Sequence, residues 1–279
     1  MRSAACLFSL MACCMGQPLR TGATADISPA FARQNVTVTT FADAAFQAKL
    51  SALMPAGVIS ELNQILPYIL IIENHAQLPI TKITARFERA RADGSLIQCW
   101  AQADLRGAGV LAPEGVMIHT PRSDLSQTLL AIRSGKSPPP GNVASLAAQI
   151  LSSLFDSRRF LSTVVSLDSI VFSNGGVVGP DKFDVIAQAT ASEDALSAVL
   201  QQVSDASLND SELNAWLQQQ ATQPAALAAQ PDGSINHAVS AQIAQAQAMR
   251  SYLAVHGRPI PGTKIQPPAA NVRPFRLDQ

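Results

Sequence analysis

Charge is what this chain has least of. Only 14% of its 279 residues are Asp, Glu, Lys or Arg, and the two signs balance at 20 each, where an ordinary soluble domain has about 25%. No stretch collects residues of one sign. The basic stripe that neutralises phosphates is therefore missing, which excludes nucleic acid as the expected partner. A polybasic membrane-surface patch is excluded on the same ground. Cysteine is almost confined to the first residues: Cys6, Cys13 and Cys14 lie there and Cys99 stands alone beyond them. A chain lacking that leader has no disulfide, and Cys99, beside Trp100, is expected as a small buried apolar group.

Catalytic signatures are missing too. His75, His119, His237 and His256 show neither HxH nor HxxxH spacing, so no metal is expected and they read as surface polar groups. There is no GxSxG elbow and no SxxK pair. "GAGVLA" (residues 107–112) has dinucleotide-fingerprint spacing, but Pro113 follows where a phosphate-binding helix has to begin. "SGKS" (134–137) resembles the end of a P-loop, yet position 130 is Leu where a Gly is required and three prolines follow. No cofactor is expected.

What is present begins with an export signal. "MRSAACLFSLMACCMGQPLRTGATAD" has one Arg, an apolar run from Ala4 to Met15, and a polar segment ending in Ala23-Thr24-Ala25, the order of a secretory signal over residues 1–25. The apolar run is short of the roughly 20 residues that span a bilayer as a helix. "LMAC", Leu10 to Cys13, also resembles a lipobox, which would put a lipid on Cys13. The expected location is periplasmic, outer-membrane-associated or extracellular, with no transmembrane helix in the mature chain.

Hydrophobic residues make up 47% of the chain, enough for a sizeable core. Over residues 36–182 the patterning is mostly that of strands. "YILIIENHA" is a buried strand, and in "ITKITARFERARADG" Ile83, Ala85 and Phe87 alternate with Lys82, Thr84, Arg86 and Glu88, one face to the core and one to water. Pro67 ends the helical segment before them. Strands follow after Asp93-Gly94 and over Val116 to Thr120. "RSDLSQTLLAIRSGKSPPPGN" reads as a loose, extended connection, and a helix is expected near 142–155. Residues 183–256 have helical periodicity, with a break near Ala191 to Ser192. Residues 257–279 are Pro-rich and aperiodic, the composition of a disordered tail. The expected fold is mainly β with α: an immunoglobulin-like or related antiparallel β-sandwich followed by a helical C-terminal extension.

The candidate catalytic groups are carboxylates. Asp168, Asp181 and Asp184 cluster around "SIVFSNGGVVGPDKFDV" (169–185), with Glu193 and Asp194 beyond, and paired carboxylates serve acid–base hydrolysis or Ca²⁺ binding. Against that stands a structural reading: Asp181 caps a helix, Asp184 complements its dipole, and Asn174 to Gly176 turn a tight hairpin whose two glycines supply positive φ. Lys82, Arg86 and Glu88, with Arg89 and Arg91, form either a binding face or the solvated side of a strand.

"PYILIIENHAQLPITKITARF" (67–87) together with "LDSIVFSNGGVVGPD" (167–181) resembles a group of exported bacterial proteins in which an N-S/N-x-x-x-P-I turn between strands is followed by a D-G or N-G hairpin and a VGPD helix start. The resemblance spans residues 67–121 and 160–200. It implies a secreted sandwich-like body with a C-terminal helix, and it assigns no activity. Gly175-Gly176 and the long Gln-rich helices depart from that pattern. The functional expectation is an exported non-enzymatic binding or scaffolding protein with a protein or cell-envelope partner. The alternatives are a secreted hydrolase with a carboxylate-based site and a lipid-anchored periplasmic subunit of an envelope complex.

Overall fold

The computed structural model describes residues 22–91, 93–105, 110–136, 139, 141–153, 160–205, 208–223, 236–257 and 275–277. Its elements run β1 (Gly22–Ile27), α1 (Ala30–Arg33), β2 (Val36–Thr40), α2 (Phe46–Leu53), α3 (Ala56–Leu62), a 3₁₀ helix (Asn63–Tyr68), β3 (Leu70–Asn74), β4 (Ile80–Arg91), β5 (Leu96–Asp104) and β6 (Gly115–His119). Then come α4 (Ser123–Arg133), α5 (Asn142–Ser153), β7 (Phe160–Phe172), β8 (Gly176–Val178), α6 (Val185–Ser204), α7 (Asp210–Ala221), α8 (His237–His256) and β9 (Phe275–Arg276). Among the described residues helix, at 48%, exceeds strand, at 28%. The fold is therefore mixed α and β, which corrects the expectation of a mainly β protein.

The underestimate has a local cause. In α4 only Leu125 and Leu129 are fully buried apolar residues, four positions apart on one face. Ser and Thr dilute that stripe, and the prolines beyond it suggest an extended chain. Pro67, expected to end a helix, lies inside the 3₁₀ helix, a short element that loses little when one N–H is missing.

Among the described residues there are two sheets. The larger is ordered β5-β4-β7-β8-β9, with β1 parallel to β7, and the smaller is β2-β3-β6. β4 pairs antiparallel with both β5 and β7. One hydrophobic cluster joins the sheets: Ile71, Ile72 and Met117 from the smaller sheet, Ile83, Phe87 and Leu167 from the larger, and Phe46, Leu50, Leu125, Val143 and Ile150 from the helices. Each such side chain contributes about 1.5–3 kcal/mol by leaving water. Fully buried Asn74 ties the turns at one end of the sheets together, its amide donating to the carbonyls of Leu78 (3.0 Å), Leu111 (2.9 Å) and Ala112 (3.2 Å).

The C-terminal helices pack on each other. Val199 and Val203 of α6, Leu213 and Leu217 of α7, and Ala246 and Met249 of α8 form a second cluster. α6 is uninterrupted through Ala191 and Ser192, and α7 opens with a reciprocal capping box between Asn209 and Glu212. Gly22 to Ala25, read as the end of a signal, pair with Ser162 to Val165. Phe275–Arg276, from the tail expected to be disordered, lie parallel on β8. Residues 1–21, with Cys13 and the lipobox, and 258–274 lie outside the described residues.

Candidate functional site

Two of the three predicted carboxylates, Asp168 and Asp181, meet at the junction of β7, β8 and α6. Along β7 the register with β4 shifts: Ser169 opposes Thr84 while Leu167 opposes Ala85, so Asp168 is an extra, unpaired residue. That is a β-bulge, which re-aims side chains. Leu167 and Ile170 both enter the core, and Asp168 and Ser169 are turned together to the opposite face. Strict alternation would have put Asp168 and Ser169 on different faces.

Asp168 is spent on the backbone. Its Oδ1 accepts from the Lys182 amide at 2.9 Å and its Oδ2 from the Phe183 amide at 3.1 Å. Asp181 does the same one step later, accepting from Val185 at 2.6 Å and Ile186 at 3.4 Å. It thereby caps α6, although the N-cap position belongs to Asp184, which is left-handed and makes no side-chain cap of its own. Burial pushes both buried carboxyls above the usual carboxylate range, and the backbone amides pull them back; Arg86 also lowers Asp168, while Asp168 raises Asp181. Asp184 points away, its carboxylate 3.7 Å from His237 Nε2 and its side chain 65% exposed. Gly179, at φ 115°, closes the joint: a Cβ there would lie 2.3 Å from the Asp168 carbonyl oxygen.

The polar side of β4, expected in water, is covered. Thr84 is wholly buried and Arg86 is 6% exposed; Arg89, 5% exposed, lies on the other face, that of Phe87. Arg86 donates to Ser166 (3.3 Å) and Glu88 (2.8 Å), and its guanidinium lies 5.9 Å from the Trp100 ring centre. Phe183, carried by the turn that Asp168 holds, packs on Trp100 with ring centres 4.9 Å apart. Thr84 and Arg86 thus belong to a buried polar layer, with Lys82 and Glu88 half-buried at its ends. Within it Thr84 Oγ1, Ser169 Oγ and Gln102 Nε2 have no hydrogen-bond partner, on positions that face one another across three strands. Beside Gln102 a cavity of about 330 Å³ opens toward Trp100, Arg122 and Asp124, where Arg122 and Asp124 are joined by two hydrogen bonds.

His119 was missed by the sequence reading, which expected surface histidines. It is fully buried in β6 with neither ring nitrogen in a hydrogen bond of good geometry, and burial pushes its pKa down to about 4 against a smaller raising effect of the Ala101 backbone. Its position in an otherwise apolar run, "VMIH", is the signal that was available. Among the described residues no group of His, Cys, Asp and Glu is arranged to hold a metal ion, and no helix is long and apolar enough to cross a membrane. Cys99 is half-buried, its sulfur 3.0 Å from an Arg89 nitrogen. None of the four cavities described is lined by Asp168, Asp181 or Asp184. The largest, about 680 Å³, lies between α7 and α8 beside Leu213, Gln247 and Arg250. No protein-family model, curated protein or solved structure matches the chain.

Proposed function

We propose that this is an exported, non-enzymatic binding or scaffolding protein of the bacterial envelope or extracellular space, built on an immunoglobulin-like body with a helical extension. The observation that carries the non-enzymatic reading is the use of Asp168 and Asp181 on four backbone amides. A carboxylate so committed is a poor general base, because taking a proton would forfeit hydrogen bonds to its charged form. The strand order supports the finer fold: β2-β3-β6 corresponds to A-B-E, and β5-β4-β7-β8 to C′-C-F-G. In that reading α4 and α5 occupy the connection from E to F. Photo-crosslinking in the native envelope from Val255, 77% exposed on α8, is expected to trap a discrete partner. Turnover of any substrate in a broad hydrolase panel, abolished by Asp168→Asn at an unchanged melting point, overturns the proposal in favour of a hydrolase.

One observation favours the lipid-anchored variant of this reading. Cleavage after Ala25 would remove Gly22, Ala23, Thr24 and Ala25 from their pairing with β7, whereas a mature chain starting at Cys13 keeps all of β1. Metabolic lipid labelling is expected to be lost in Cys13→Ser; labelling that persists in that variant removes the anchor.

A further inference from the structure

We propose that the outer edge of β8 is a strand-addition site for an extended peptide of the Phe-Arg-Leu type, filled in cis by the chain's own residues Phe275 to Leu277. The segment lies parallel to β8 and is held as an added strand is: the Phe275 amide donates to the Gly175 carbonyl at 3.0 Å and the Leu277 amide to the Val177 carbonyl at 3.1 Å. Side chains read the sequence on either side. Leu277 reaches the main core cluster by lying over Gly176, where an added Cβ would be 2.5 Å from Leu277 Cδ1. Arg276 points its guanidinium at the Pro180 carbonyl (3.5 Å) and the Asp181 carboxylate (3.9 Å).

The two glycines of the hairpin have different tasks. Gly175 has φ 86°, which the turn requires, whereas Gly176 has no positive φ. Its backbone suits any L-residue, and the missing side chain serves as the seat of Leu277. An unfilled edge strand is open to pairing with other chains, and the tail fills this one.

The contact is thin: two backbone hydrogen bonds, the long Arg276 contacts and one half-buried Leu, with Phe275 46% exposed. Attachment to the same chain supplies the rest, since a tethered segment is present at an effective concentration on the order of mM. The tail is therefore an exchangeable ligand, and a partner offering an extended strand with an aliphatic residue after a basic one can take its place. This inference stands on the sheet edge alone and does not depend on export or on the role proposed above.

The test uses the full chain. Leu277→Asp is expected to speed amide exchange at Phe275 at least 10-fold while leaving the melting point of the body unchanged. A peptide of residues 271–279, NVRPFRLDQ, added at millimolar concentration is then expected to shift the amide resonances of Gly175 to Val178 saturably. Ten-fold more peptide is expected to be needed in the wild type, whose site is filled. Adding Gly176→Val to the Leu277→Asp chain is expected to abolish those shifts. Unchanged exchange at Phe275, a folded Leu277→Asp chain that ignores the peptide, or equal binding with Gly176→Val each overturns the proposal. Should Leu277→Asp lower the melting point, Leu277→Ala replaces it in the same series.

Discussion

The Lys182 amide donates a 2.9 Å hydrogen bond to Asp168, linking the middle of β7 to a turn 14 residues later. Through that bond the bulge at Asp168 sets where the turn before α6 lies, and hence where Phe183 meets Trp100. Asp168→Ala leaves two part-buried amides without acceptors, at about 1–3 kcal/mol each. Urea unfolding is expected to show a loss of about 2–4 kcal/mol, together with a weakened near-ultraviolet Trp100 signal.

Gly179 is the least replaceable glycine in the joint. Its φ of 115° is closed to L-residues, and a Cβ meets the Asp168 carbonyl oxygen at 2.3 Å and Phe31 at 2.7 Å. Gly179→Ala is expected to destabilise by at least about 3 kcal/mol from strain and overlap together, read as a lowered midpoint in thermal or urea unfolding.

His119 makes stability fall in acid. Its pKa is 6.5 when exposed and about 4 in the folded chain, so the unfolded state binds the proton first. The contribution is complete above about pH 6.5 and is lost as pH falls toward 4, by about 3 kcal/mol in all. Asp168 and Asp181, with raised pKa values, slope the opposite way, their folded forms losing stability as pH rises. The difference between wild type and His119→Leu isolates the histidine: the variant is expected to be as stable or more so at pH 7, and to hold its urea midpoint better between pH 6.5 and 4.5.

Asn74 distinguishes hydrogen bonding from shape. Its amide nitrogen faces three carbonyls, so Asn74→Ala is expected to cost about 3 kcal/mol. Asn74→Asp, nearly identical in volume, sets a carboxylate against those carbonyls and is expected to unfold at a lower temperature than Asn74→Ala.

Local features were legible where the signal is local. The β4 alternation, the turn at Asn174 and Gly175, and the periodicity of α5, α7 and α8 correspond to elements at those positions. α4 was hidden because its apolar stripe is narrow and prolines follow it. His119 was hidden because a histidine's burial depends on what surrounds it. The site was legible only as a cluster of acidic residues: the sequence places Asp168 near Asp181, but the bulge that turns Asp168 from the core comes from pairing with β4.

By itself the sequence determined the alternation of β4, the turn at Asn174 and Gly175 and the helices α5, α7 and α8, that no run of charge or nucleophile motif is present, and that an apolar stretch stands near the start. Alternation, proline, glycine and capping act over a few residues, so they can be read without a fold. Only the tertiary structure decided that Thr84 and Arg86 on the polar face of β4 are buried, that Asp168 and Asp181 serve backbone amides, and that Phe275 to Leu277 return to the edge of β8. Each of those outcomes joins residues far apart in the chain. Whether a polar group faces water or a partner depends on what packs against it.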